Sequence, residues 1–491
     1  LIASVMLLCL AGCSSAGESG DDDQSADDDS ADPSPSFNFG VVDFNYYGDL
    51  GGYDGEIYRA DQAWAASHVD LAIISQNDQP MQQTWDEIKK NQPRGRWLVW
   101  QLAHLFNTND AAGTCDNPAV GPETATFAQQ SADFAAFLGD HPEYGDGEDC
   151  FLHARHDGRI GARWHGAGCD VTLEQRGLDG SATDRKDARL FTLVWDQYTW
   201  LLNVENDCAR DFAAWRAAKQ MADGFAGPGY DNLGSPTEDG FYLPTLIDPI
   251  DIIEIPDAQE TNVDALNGWY FPAVGGLLAK VRDSLSGSPT LVFNGATYCS
   301  WDGSTARLAA LVGPGIGVWC EDALQYPAWG ALGTPDRLAA LIDFSRQAHD
   351  AGGFVALETF YGGGAENPTG DEVLFYLAAF YLFKNDDDVL AIKPSWNPYQ
   401  PLQDTCWFGV FARDIGKPTA AATQDANGVF TRAYRGPHGE DVLVVVRADG
   451  NEPPVDFDLG GAYQRVLADN STAEVSGVIS LASGDGLILI R

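Results

Sequence analysis

The chain has 491 residues, 44% hydrophobic and 11% aromatic, with 72 acidic against 29 basic side chains and a formal net charge of −43. Such a composition builds a sizeable core and excludes a disordered chain, and the length fits one barrel of ~250 residues with attachments or two to four smaller domains. No apolar run reaches the ~18 residues of a spanning helix, and so acidic a surface repels phosphate backbones, which excludes nucleic acid as an expected partner.

Residues Leu1 to Gly12 are small and apolar, and Leu10-Ala11-Gly12-Cys13 resembles the lipobox of bacterial lipoproteins, whose cysteine is acylated. The expectation is an exported protein held at the cell envelope or surface, touching the membrane only through a lipid anchor on Cys13. No initiating Met and no Lys or Arg precedes the apolar run, so the reading frame is expected to begin upstream. Residues 14–37 hold eight acids and no base and form an acidic tether too polar to fold. The body is acidic without them. Lysine occurs eight times, which fits either a salt-rich habitat or an acidic exported protein.

From Asn38 short β-rich runs alternate with helical stretches, the pattern of βα units around a parallel sheet. Strands are expected at Phe39–Phe44, Val69–Ser75, Arg96–Leu102, Thr290–Asn294, Gly315–Glu321, Phe354–Glu358 and Val389–Ser395. An eighth strand ending at Tyr230-Asp231-Asn232 is needed by the count, although Gly227-Pro228-Gly229 is poor strand material. Helices are expected at Cys208–Met221, Trp269–Ser286, Pro335–Ala351 and Asp371–Lys384. The fold class is α/β, a (β/α)₈ TIM barrel over 38–416. From about Asn107 to Asp207 an insertion carrying three cysteines reads as elaborated loops. Beyond it, Gly428–Tyr434, Asp441–Arg447, Val455–Leu459, Tyr463–Ala468 and Gly486–Ile490 form a small C-terminal antiparallel β domain over 427–491, expected as a sandwich.

Strand ends of a barrel point into its active site, and here they are acidic or amide: Asp43 and Asn45 on the first, Asp231 and Asn232 on the fourth, Asn294 on the fifth, Glu321 and Asp322 on the sixth, Glu358 on the seventh. Paired carboxyls suit glycoside hydrolysis, in which a protonated one gives its proton to the leaving oxygen and an ionised one attacks or activates water. Trp301, Trp319, Tyr361 and Trp396 offer flat faces for sugar C–H surfaces, with Tyr298, Trp329 and Trp407 as weaker members of the set. A buried core role competes for each of them.

The succession Val69-Asp70-Leu71-Ala72-Ile73-Ile74, Gly229-Tyr230-Asp231-Asn232-Leu233, Phe293-Asn294-Gly295 and Gly317-Val318-Trp319-Cys320-Glu321, ending on Gly486-Leu487-Ile488-Leu489, resembles hypothetical glycosyl hydrolase family fifteen. The resemblance runs from Asn38 to Arg491 and implies a TIM barrel with a carbohydrate-active site, Asp231 and Glu321 matching its acidic strand ends. Asp231 is then expected as nucleophile or base and Glu321 as acid, with Glu358 a rival for one role; Asp43, Asn45, Asn232 and Asn294 would orient substrate. No cofactor is expected, and the partner is a carbohydrate substrate. Two other readings compete: a glycan-binding surface lipoprotein without catalysis, and a metal-dependent polysaccharide hydrolase or deacetylase built on Cys150, His153, His156, His165 and Cys169. Export favours disulfides over zinc, so Cys150 and Cys169 are expected to be bridged.

Overall fold

The computed structural model describes residues 38–41, 63–74, 79–103, 105–107, 125–153, 191–194, 197–231, 233–234, 263–300, 304–327, 334–361, 368–394, 406–448 and 452–491. Eight parallel strands close a barrel: β1 (Asn38–Val41), β2 (Leu71–Ile74), β3 (Arg96–Gln101), β4 (Gly227–Tyr230), β5 (Leu291–Asn294), β6 (Ile316–Glu321), β7 (Val355–Tyr361) and β8 (Val389–Pro394). They follow one another around the ring in chain order, and β1 closes it by pairing with β8 at Phe39↔Leu390 and with β2 at Gly40↔Leu71. All eight expected strands are present.

The unpromising fourth strand has a packing reason for its composition. A Cβ on Gly229 would lie 2.7 Å from Ile73 Cγ2, and one on Gly227, where φ is +154°, would lie 2.1 Å from the Thr290 carbonyl oxygen. Glycine is therefore required where the ladder and the barrel interior crowd β4, a tertiary demand that overrides strand propensity. Behind β3 the alternation sends Trp97 outward, where Trp85 of helix α1 (Gln79–Lys90) packs on it and stacks on Phe225.

The insertion is more ordered than the loops expected for it. It carries a 16-residue helix, Ala125–Asp140, and a three-stranded antiparallel sheet of Leu105–Asn107, Gln197–Leu201 and Phe191–Val194. Phe134 and Phe137 on that helix meet Phe212 of the helix Asp207–Ala222, burying the insertion against the barrel wall. Cys150 is bonded to Cys208 at the start of that helix, which corrects the expected bridge to Cys169, a residue outside those described. A second disulfide joins Cys299 to Cys320.

Lys417–Pro418, Thr423–Gln424, Val429–Arg435, Asp441–Arg447, Val455–Val466, Thr472–Leu481 and Gly486–Ile490 form one antiparallel sheet of seven strands, which begins before the expected boundary at 427. Val455–Val466 runs as a single strand with a bulge between Asp458 and Ala462 where two strands were expected. The sheet covers helix α2 (Gly370–Phe383), which is buried on every side from Glu372 to Phe383. A helix apolar all round must be enclosed, and the barrel and the sheet enclose it together. Thr369 and Glu372 form a capping box at its start, while Arg432 Nη1 donates to the Tyr381 and Lys384 carbonyls, 3.1 Å each, at its end. No described helix is long and apolar enough to cross a membrane.

Candidate active site

The C-terminal ends of β3 to β8 bring one polar layer together inside the barrel. Side chains alternate in and out along each strand, so Trp100, Asn294, Trp319, Glu321, Glu358 and Lys393 project inward, and Asp231 follows β4 directly, its backbone N–H donating to the Gln101 carbonyl at 2.8 Å. Asn294 is 1% exposed and stands between the two foremost carboxyls. Its Nδ2 carries two protons, and it donates to Asp231 Oδ1 at 2.7 Å and to Glu321 Oε2 at 2.8 Å. Those two oxygens therefore lie within about 5.5 Å of each other, so the two carboxyls face one narrow gap. Trp100 Nε1 donates to the other oxygen of Asp231 at 3.3 Å, so both Asp231 oxygens act as acceptors.

Glu321 keeps part of its surface open to solvent. Burial, followed by the negative charges of Glu358 and Asp231, lifts its pKa well above 4.5, against the opposing pull of Lys393 and the Asn294 hydrogen bond. This carboxyl is thus disposed to hold a proton beside an acceptor-only neighbour, the division of labour expected of an acid and a nucleophile. Asp322, the next residue, has a left-handed backbone (φ +49°) and a carboxyl pushed up to about 6 by burial, with Gln325 Nε2 donating to it at 2.7 Å and pulling the other way.

Glu358 faces Glu321 directly across the β6–β7 ladder. It is fully buried; Lys393 Nζ lies 2.6 Å from Oε1, and Trp319 Nε1 donates to Oε2 at 2.7 Å. Trp319, 2% exposed, is an interior side chain that holds Glu358, which corrects its expected role as a sugar platform. Trp407 packs edge-on against Phe39 and Trp64, near the start of β1, and belongs to the core. Asp43, Asn45, Asn232, Trp301 and Trp396 lie outside the described residues, as do Cys13 and the side chain of Tyr361.

Lys393 and Trp100 are members of the layer that sequence reasoning passed over. Lys393 left a signal: it is the one charged residue in Val389–Pro394, an otherwise apolar strand, in a chain with eight lysines. The two described members of the cysteine and histidine cluster, Cys150 and His153, are engaged elsewhere. Cys150 is spent in its disulfide, His153 Nε2 sits 3.1 Å from Glu148 Oε1 with both side chains buried, and His156, His165 and Cys169 are outside the described residues. Among the described residues no three His, Cys, Asp or Glu side chains could hold a metal ion.

No family model and no curated protein matches the chain. Among solved structures it is similar to a GH27 β-L-arabinopyranosidase from Geobacillus stearothermophilus, at 8% identity over 94% of this chain and 96% of that one, with a TM-score of 0.48. It is similar to α-galactosidase I from Mortierella vinacea at 8% identity, 94% and 98% coverage and TM-score 0.41. A third is TtGalA, the α-galactosidase from Thermus thermophilus, at 12% identity, 82% and 65% coverage and TM-score 0.38. Alignments this loose transfer no activity, and the barrel stands on its own strand pairing. The likeness to hypothetical glycosyl hydrolase family fifteen holds for the barrel and its β domain and finds no support as a family assignment.

Proposed function

We propose that the protein is a retaining glycoside hydrolase acting on an extracellular poly- or oligosaccharide, with Asp231 as nucleophile and Glu321 as acid and base. The observation that carries this reading is the single amide of Asn294 bridging both carboxyls. In the first step an Asp231 oxygen bonds to the anomeric carbon while Glu321 gives its proton to the departing glycosidic oxygen. In the second, Glu321 takes a proton from water, the water oxygen bonds to the anomeric carbon, and the Asp231 ester breaks. Carboxyl groups carry both steps, so the mechanism calls for no cofactor. Export and a lipid on Cys13 complete the proposal by putting the site where such glycans are met.

The test is a glycan panel with reducing-end detection. Wild type should release reducing ends from at least one glycan; E321Q, which keeps side-chain shape, should fall by ~10²–10⁴-fold, the usual worth of an acid or base, and D231N, which removes the nucleophile, at least as far. Undiminished hydrolysis by both variants would remove these residues from the chemistry. A glycan bound equally by wild type and both variants, with none cleaved, would transfer the protein to the glycan-binding class.

A further inference from the structure

Glu358 is the most conspicuous carboxyl that the two-step mechanism does not use. Its position opposite Glu321 on the neighbouring strand puts both side chains on the same barrel face, at a strand spacing of about 4.8 Å. It has no exposure, Lys393 occupies one oxygen and Trp319 the other, so it has no path by which to pass a proton to a leaving group. An ionised carboxylate is tolerated in such a place only because a cation and a donor meet it there.

We propose that Glu358 is a positioning residue, a fixed negative charge clamped by Lys393 and Trp319 that faces Glu321 and keeps its proton in place. Its catalytic consequence rests on the reading of Glu321 as the acid; the coupling between the two carboxyls does not. The other groups facing Glu321 define the balance. Asp231, from the end of β4, reinforces the hold on the proton, Lys393 from β8 weakens it, and Asn294 from β5 weakens it through its hydrogen bond. Asp322, adjacent in the chain, is directed to Gln325. The two members of the clamp act on Glu321 in opposite directions, Glu358 holding its proton and Lys393 loosening it.

The experiment is a carbon-13 NMR titration of glutamate carboxyls in the full chain, with the Glu321 signal assigned by its loss in E321Q. In E358Q the Glu321 midpoint should fall by about one pH unit or more, a tenfold weaker grip on the proton, and the basic limb of the pH–rate profile should move down with it. E358Q/K393M removes charge and countercharge together, so no buried ion is left alone. There the midpoint should fall by less. An unmoved midpoint in both variants overturns the proposal, and so does an E358Q enzyme as inactive as E321Q whose Glu321 titrates as in wild type, since Glu358 would then be the acid itself. A midpoint that falls in E358Q while wild type cleaves no glycan supports the coupling and rejects the hydrolase.

Discussion

Asn294 does at the residue scale what neither carboxyl does alone, because one buried amide fixes the spacing of two groups that repel each other when both are ionised. Loss of a hydrogen bond to a charged group costs about 1.5–3 kcal/mol, so N294A should lower kcat by about ten- to a hundredfold, measured at saturating substrate; unchanged kcat would deny the bridge a catalytic part. Glu321 also writes itself into stability. Its folded pKa is raised, so its stabilising contribution is complete below the ordinary value of 4.5 and is lost as pH rises through the folded value. Urea midpoints of wild type should therefore fall relative to E321Q as pH climbs above 4.5, and parallel curves would show that Glu321 titrates alike folded and unfolded. Asp231, Asn294 and Glu321 were legible because barrel topology turns a strand's last residues into site residues. Glu358 was legible as a site residue but not as a clamped one, since its partners come from β6 and β8 and only the ladder register aligns them.

Among elements, β5 ends on the bridging Asn294 and β6 on Glu321, and the Cys299–Cys320 disulfide ties the turn after β5 to β6 over a separation of 21 residues. Closing a loop of that size contributes ~3 kcal/mol in the chain-entropy view. The C299S/C320S variant should lose about that much in denaturant unfolding, and an unaltered midpoint would mean that packing alone holds the turn. Strands were readable wherever burial wrote a continuous apolar run. Gly227-Pro228-Gly229 was readable only by counting to eight, because its glycines answer to Ile73 and Thr290, neighbours fixed by the closed ring. The helix Ala125–Asp140 escaped notice although Phe134, Phe137 and Leu138 keep helical spacing, since the glycines and cysteines around it read as loop. Gly460-Gly461 reads as a turn and is instead a bulge within one strand, and Thr472–Leu481 is mostly exposed, so burial left it no apolar alternation to read.

Over the whole molecule, Ser34–Arg491 is one compact unit, and helix α2 is the shared core of barrel and sheet. F380A removes a fully buried ring from that helix and should cost ~3–5 kcal/mol. Calorimetry should show a single transition moving down as one, whereas two separated transitions would mean that barrel and sheet unfold independently. At the other end of the chain, a double lipid signal gives stable anchoring where one acyl chain is marginal, so C13S should move the protein from the detergent phase to the soluble fraction; wild type found wholly soluble with Cys13 unmodified would remove the anchor from the proposal. The proposed mechanism turns on the covalent step at Asp231. Once the panel identifies a cleaved sugar, its 2-fluoro glycosyl fluoride should trap the enzyme, and peptide mass spectrometry should find one glycosyl group on the peptide that contains Asp231. An active enzyme that stays unlabelled, or a label on Glu321 or Glu358 in its place, would contradict the account.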